Sequence, residues 1–362
     1  MTAQLDVAIL GAGGTTAPAL VRDLAESEEV RSLLLLDLDG ARADATAHAH
    51  GLGKACVRQL DGGGQELRGA IAGRDVLVNC ASYRVNLDAM RACLDARCQY
   101  VDLGGLYWMT GRQLELDREF RDAGLLGLLG MGSSPGKTNV MAARAVELLG
   151  EPPRSIDVVE AGRDLGAEID GPLTVPYALQ TLVDELTMSP IAIRDGRPVK
   201  LEPLEDGGRV RLPRPFGMAS TIYAIGSELR TIPTTLGCRE ATLRVSLAPT
   251  LLDRLRGLDD AAAKTTPPSA KTVAVHRVVA AGEAREVAVT ALTGPVAEWG
   301  LGGGVVSTAA PAAAAVRLLA RGRITATGVL PPELCVSADD LFPELERRSC
   351  TFTIDTPEVA HA

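Results

Sequence analysis

The chain has 362 residues, 46% of them hydrophobic but only 3% aromatic, and a formal net charge of −9. That length suits two domains with an aliphatic, alanine-rich core. The acidic balance excludes nucleic acid as the main partner, because phosphate contacts need clustered positive charge.

No membrane partner is expected. The longest apolar candidate, AAPAAAAVRLLA, is short for a span and carries Arg317. The N-terminal apolar run is too short for a leader and contains Asp6, so a cytoplasmic location is expected. The seven cysteines (56, 80, 93, 98, 238, 335 and 350) are scattered, without a CxxC pair. They read as reduced thiols with no metal site. None of the four histidines lies in a site-like stretch, so a histidine acid–base is not expected.

In chain order, LDVAIL predicts a first strand, Gly11-Ala12-Gly13-Gly14-Thr15-Thr16 a turn, Ala17 to Ala25 a helix, and LLLL a second strand ending at Asp37. That order holds a dinucleotide at the edge of a parallel sheet. Gly11 allows the tight turn, and Gly13 lets a pyrophosphate approach the backbone at the helix N-terminus. Asp37, 24 residues after Gly13, is placed to accept hydrogen bonds from a ribose diol. Thr16 stands where a third glycine would pack helix on strand. Leu38 and Asp39 follow, no arginine is evident nearby, and a carboxylate repels a 2′-phosphate. NAD is therefore expected over NADP.

A helix over 40–51, a strand over 55–59 and a helix over 65–72 lead to DVLVNC at 75–80. Its end, Asn79-Cys80-Ala81-Ser82, is expected beside the glycine turn, where small residues suit the nicotinamide ribose. A helix over 85–96, the strand CQYVDLGG over 98–105, a helix over 111–122 and the strand LLGLLGMG over 125–132 complete six strands. The first 132 residues thus read as a doubly wound parallel sheet.

The loop Gly132-Ser133-Ser134-Pro135-Gly136-Lys137-Thr138-Asn139 opens a helix over 138–149. Its GKT is not a triphosphate loop, because position 131 is methionine where that loop needs glycine. Pro152-Pro153 mark a boundary. SIDVVEAG, EATLRVSLA, KTVAVHRVVAAG and REVAVTALTG then alternate apolar with polar residues, predicting an antiparallel or mixed sheet with one solvated face. Helices over 173–187 and 251–258 are expected to cover the other face, making this an α+β domain. A glycine-led helix, ITATGVLPPE and the strand CTFTI close the chain.

Beyond the strand ends, Ser82, Tyr83, Asp102, Tyr107 and the 132–139 loop are expected to converge. Asp102 suits a base whose pKa a dry cleft would raise. Lys137, one of five lysines, stands against the helix dipole, which suggests an anion, a substrate carboxylate or a proton as its partner. Tyr83 could donate a proton. Tyr107, Asn139, Arg230 and Thr231 are candidates for binding substrate.

GAGGTT, LLLLDLD, DVLVNCASYRVNLDAMRACLDARCQYVDLGG, GMGSSPGKTNVMA and GLGGGVVSTAAPAAAAVRLLARGRITATGVLPPE, in this order, resemble the saccharopine dehydrogenase-like family. That family includes saccharopine reductases and lysine 6-dehydrogenase. The resemblance covers roughly 1–150 and 298–335. It implies a Rossmann domain over 1–135, a substrate-binding and dimerisation domain over 136–300, and a segment over 301–362 returning to the first domain. It implies NAD-dependent hydride transfer at a carbon–nitrogen bond of an amino acid or derived amine, by a homodimer. Saccharopine reductases resemble DPGxDH where this chain has Ser134-Pro135-Gly136-Lys137-Thr138-Asn139. The missing Asp and His lean toward the lysine-dehydrogenase-like branch. The alternatives are a catalytically silent NAD-binding regulator or scaffold, and an alcohol or semialdehyde dehydrogenase.

Overall fold

The computed structural model describes residues 4–63, 65–166, 173–174, 183–185, 187–247, 265–266 and 268–356. The first part alternates strictly: β1 (Leu5–Leu10), α1 (Ala17–Glu26), β2 (Val30–Asp37), α2 (Gly40–His50), β3 (Ala55–Gln59), α3 (Glu66–Ile71), β4 (Val76–Asn79), α4 (Asn86–Ala96), β5 (Gln99–Asp102), α5 (Leu106–Leu114), α6 (Asp117–Ala123), β6 (Leu126–Leu128) and α7 (Lys137–Leu149). Then follow β7 (Ser155–Asp164), β8 (Leu173–Thr174), β9 (Ile191–Arg194), β10 (Arg197–Lys200), β11 (Asp206–Leu212), β12 (Gly217–Tyr223), α8 (Glu228–Thr235), β13 (Glu240–Ser246), β14 (Thr265–Thr266), β15 (Thr272–Ala281) and β16 (Glu286–Thr293). The chain closes with α9 (Gly303–Ala320), β17 (Gly328–Leu330), α10 (Pro332–Cys335), α11 (Ala338–Glu346) and β18 (Cys350–Asp355).

Among the described residues, the first sheet has seven strands in the order β17-β6-β5-β4-β1-β2-β3, all pairs parallel. The order reverses between β1 and β4, which opens the crevice where α/β sheets bind ligands. Each central strand is apolar because helices cover both faces. Val7, Ala8 and Ile9 of β1 and Leu33, Leu35 and Leu36 of β2 are fully buried. Pro18 sits in the first turn of α1, where its fixed φ suits helix initiation, and Leu20, Val21 and Leu24 bury one face of that helix. The expected single helix over 111–122 is instead two, α5 and α6, and the seventh strand, β17, joins the sheet beyond the six expected.

The second sheet is mixed. β13 pairs with β7 in parallel, while β15, β16 and β18 continue from β7 in antiparallel order. The expectation of one solvated face does not hold at its centre. Ala274, Val275 and His276 of β15 are buried in succession, as are Val287 to Ala291 of β16. The polar side chains of His276 and Thr290, which gave the pattern its alternation, are themselves interior. Of the two covering helices expected there, Leu173–Thr174 form a strand instead, and residues 183–185 are helical. Residues 251–258 lie outside the described residues.

The chain makes two compact units, Met1–Lys137 with Thr308–Leu345, and Thr138–Ser307 with Glu346–Ala362. Helix α9 is long and apolar enough by composition to cross a membrane, yet 78% of it is buried within the protein. Its composition serves the core: Ala312 to Val316 are fully buried. In the first unit, Arg317 of α9 donates to Asp23 of α1 and to Ser27, the C-cap of that helix, at 2.7 and 3.1 Å and to Glu344 of α11. All four groups are interior.

Candidate functional site

The turn after β1 folds against two neighbouring strand ends. Gly11 has φ +84, and a Cβ there would lie 2.6 Å from both N and Cα of Ala81. Only glycine lets β1 leave the sheet so close to the end of β4. Cys80 N–H donates to Leu10 O at 2.8 Å, which fixes Cys80 and Ala81 beside the turn. Burial, with the Asp37 charge nearby, pushes the Cys80 thiol up to about 12. That shift keeps the thiol protonated at neutral pH. Ser82 accepts the Arg84 N–H at 3.4 Å, and the Arg84 guanidinium stands over the Tyr83 ring, 4.8 Å from its centroid.

Asp37 closes the other side of the turn. Its Oδ2 accepts the Gly13 N–H and its Oδ1 the Asp39 N–H, both at 2.8 Å. Asp39 in turn caps α2 by accepting the Arg42 N–H at 3.1 Å. Leu38, 70% exposed, projects beside this corner. The expectation that no arginine is nearby is corrected here: a Cβ on Gly13 would lie 2.9 Å from Arg42 Cβ and 3.1 Å from Asp37 Cγ. Arg42 rises on the first turn of α2, five positions past Asp37, and helical phase returns it to the turn. Thr16 is the N-cap of α1, buried, and its side chain makes no capping bond. Gly14 and Thr15 complete the turn, with Gly14 N–H donating to Gly11 O at 3.0 Å.

Asp102 is 1% exposed at the end of β5. Its Oδ1 accepts the N–H groups of Gly104 and Gly130 at 3.0 and 2.6 Å. Its Oδ2 accepts Tyr100 Oη at 2.9 Å, Gln113 Nε2 at 2.6 Å and Asn86 Nδ2 at 3.2 Å. Burial raises its pKa, and these hydrogen bonds oppose that rise. Five donors fill a carboxylate that has about four lone-pair sites. This geometry makes Asp102 a tie between loops and leaves it no free face toward a ligand.

Tyr107 is buried, its ring edge-on to that of Trp108 with centroids 4.9 Å apart. Lys137 opens α7, is fully buried, and its N–H donates to Gly132 O at 2.9 Å. In the second unit, Asn139 Nδ2 lies 3.5 Å from Thr231 Oγ1, and both residues are buried, whereas Arg230 is exposed. Glu228, fully buried on the same helix, accepts Thr138 Oγ1 at 3.3 Å. Sequence reasoning passed over Glu228, and its signal is an acid in the first turn of α8 three positions before Thr231. Among the described residues, no group of three His, Cys, Asp or Glu could hold a metal ion.

A turn of this shape, an acid at the end of β2 and the crevice at β1/β4 fit a pyridine dinucleotide. Residues 7–128 match the family model of the saccharopine dehydrogenase NADP binding domain. That match covers about a third of the chain. Carboxyaminopropylagmatine dehydrogenase from Synechocystis is 29% identical to this chain over 165 residues, 42% of this chain and 41% of that protein. Carboxynorspermidine synthase from Vibrio alginolyticus is 29% identical over 96 residues, 24% of this chain and 23% of that one. The match thus spans less than half the length of either relative. The fold matches apo saccharopine dehydrogenase (L-Glu forming) from Saccharomyces cerevisiae with a TM-score of 0.74 at 15% identity, covering 98% of this chain and all of that one. It matches homospermidine synthase from Legionella pneumophila, in complex with NAD, with a TM-score of 0.76 at 12% identity, over 98% of this chain and 91% of that one. Identity that low establishes the shared fold.

Proposed function

We propose that this protein is a pyridine-nucleotide-dependent oxidoreductase acting on a carbon–nitrogen bond of an amino acid or amino-acid-derived amine. The observation that carries the dinucleotide is the corner in which Gly13 and Asp37 bond each other beside the end of β4. The carbon–nitrogen chemistry draws on the relatives, whose names specify saccharopine, an agmatine derivative and spermidine-type products. Asp37 supports NAD as the cofactor, its carboxylate accepting from the ribose diol. Arg42 is the residue that would hold a 2′-phosphate. A bound nicotinamide supplies the hydride acceptor or donor. Gly11, Gly13, Gly14, Thr15 and Thr16 would line the pyrophosphate, with Cys80, Ala81 and Ser82 walling the ribose.

For the rest, the chain positions and handles protons. An amine must be neutral before hydride leaves its carbon, so one proton moves to a protein group or to water. Lys137 and Tyr83 carry that role in this proposal, with Tyr107 on the substrate side. A cytoplasmic homodimer is part of the same reading. One observation favours a second reading, a silent dinucleotide-binding regulator: Asp102, the strongest acid candidate for a base, is saturated with donors. The Cys80 thiol, held neutral, weakens a semialdehyde dehydrogenase.

The test is a screen for NADH formation at alkaline pH with lysine, ornithine and polyamine-type amines. It is paired with NADH or NADPH oxidation in the presence of an aldehyde or keto acid plus an amine. Turnover with a member of either set is the expected result. Tight dinucleotide binding with no turnover in either direction would replace the enzyme by the regulator.

A further inference from the structure

The three loops that leave β4, β5 and β6 carry the residues assigned to the reaction, and one buried side chain touches the base of all three. The loop after β4 is held by Asn79, whose Oδ1 accepts the Ala81 N–H at 3.1 Å and whose Nδ2 donates to Asn86 Oδ1 at 2.9 Å. Asn86 then donates to Asp102 and to Gly104 O. The loop after β5, which leads to Tyr107, is tied by Gly104 N–H to Asp102 Oδ1. The loop after β6, which leads to Lys137, is tied twice, by Gly130 N–H to the same oxygen and by Met131 N–H to the Asp102 carbonyl at 2.6 Å. Gln113 of α5 and Tyr100 of β5 complete the set.

We infer that Asp102 is a positioning residue that locks these three loops into one arrangement at the nicotinamide end of the cleft. The inference rests on the dinucleotide reading proposed above. Its physical basis is the polarity of the partners. The two backbone N–H groups can only donate, and Asn86 is held as a donor because its Oδ1 already accepts Asn79 Nδ2, whereas the Tyr100 hydroxyl can reverse and the Gln113 amide can flip. The site therefore requires an acceptor at both oxygen positions. An apolar residue would strand the donors, and an amide would set its own N–H₂ against at least one fixed donor. Loop-to-loop spacing of this kind is what holds a reacting group within the fraction of an ångström that hydride transfer needs. The Gly13–Asp37 corner, which takes the adenosine half in this reading, is held by hydrogen bonds from the Gly13 and Asp39 N–H groups to Asp37.

The two halves of the cofactor separate the two roles. Asp102→Asn is titrated with NADH and with ADP-ribose, which lacks the nicotinamide. The expected result is at least about tenfold weaker NADH binding, with ADP-ribose affinity within about twofold of wild type, as loss of one satisfied buried donor at the nicotinamide end implies. Tyr100→Phe removes one donor to Asp102 and the 3.3 Å contact that Tyr100 Oη accepts from Asn79 Nδ2, which keeps its bond to Asn86 Oδ1. It gives a smaller split of the same sign and serves if Asp102→Asn does not fold. Equal weakening of both ligands, or of neither, in the variant that folds would overturn the inference. A wild-type protein that binds neither ligand would instead sink the dinucleotide reading, and this inference with it.

Discussion

Replacing Asp37 by alanine should change which dinucleotide the protein prefers. The carboxylate is half-buried, with one N–H, from Gly13 or Asp39, on each oxygen at 2.8 Å. Each oxygen keeps a lone pair for a ribose hydroxyl. A hydrogen bond to a charged group contributes about 1.5–3 kcal/mol, and partial exposure to water favours the low end, so two are worth about 3 kcal/mol. Loss of both weakens NADH by roughly 150-fold in Kd. For NADPH the same substitution removes a repulsion between two negative groups and leaves Arg42 beside the turn, so its affinity stays within about fivefold. Arg42→Ala should act in reverse, weakening NADPH and sparing NADH. Calorimetric titration of both variants with both nucleotides measures the four constants. Parallel losses for NADH and NADPH on Asp37→Ala would refute the ribose role, and so would a wild type that prefers NADPH.

Arg317→Met removes the buried cation shared by the carboxylates of Asp23 and Glu344, 1% and 4% exposed, while Glu344 keeps Arg321, and should cost about 3–5 kcal/mol in urea unfolding. Adding Asp23→Asn and Glu344→Gln should recover most of it, whereas a single-variant cost below about 1 kcal/mol would show the network to be slack. Cys80, its thiol pushed up to about 12 by burial, should stay unmodified by iodoacetamide at neutral pH while the exposed Cys56 reacts, as peptide mass spectrometry would reveal. Asp6 is held down at about 2 by hydrogen bonds from Arg31 and Ser32. A carboxyl depressed in the folded state stabilises above its ordinary pKa and loses that contribution as pH falls through the folded value. Asp6→Asn should therefore flatten the acid limb of stability between about pH 4 and pH 2. The difference is about 0.5–1 kcal/mol at neutral pH, because solvent screens this partly exposed pair. An unchanged limb would show that the pair contributes nothing.

The stretch from Leu5 to Asp37 was legible because three independent signals coincide there: an apolar run, a glycine turn, and an acid at the next strand's end. β17 was not, since three residues inside ITATGVLPPE are too few to show a period. The parallel pairing of β13 with β7 is likewise hidden, because a strand's own residues do not specify a partner some eighty positions away. In the second sheet, period-two patterning read His276 and Thr290 as solvent-facing, and tertiary burial overrode it. Arg42 escaped notice because its approach to Asp37 depends on helical phase and not on adjacency. Asp102 was visible as a strand-end acid, but its donors Asn86, Gln113 and Gly130 stand 11 to 28 positions away, and only folding brings them together.

The first unit leaves the chain at Lys137 and resumes at Thr308, and this sets an order of events during synthesis. Until Gly328–Leu330 emerges, the outer edge of β6 lacks its β17 neighbour, and until Arg317 emerges, Asp23 lacks that ion pair. At roughly 5–20 residues per second, the intervening segment takes on the order of ten to thirty seconds to make. The nucleotide-binding sheet therefore waits, nearly complete and with one strand edge open, while the second unit's strands are produced. The second sheet in turn gains β18 only after the first has closed. Both units finish on the same last stretch of chain, so a truncation that removes β17 and everything after it disables the two together.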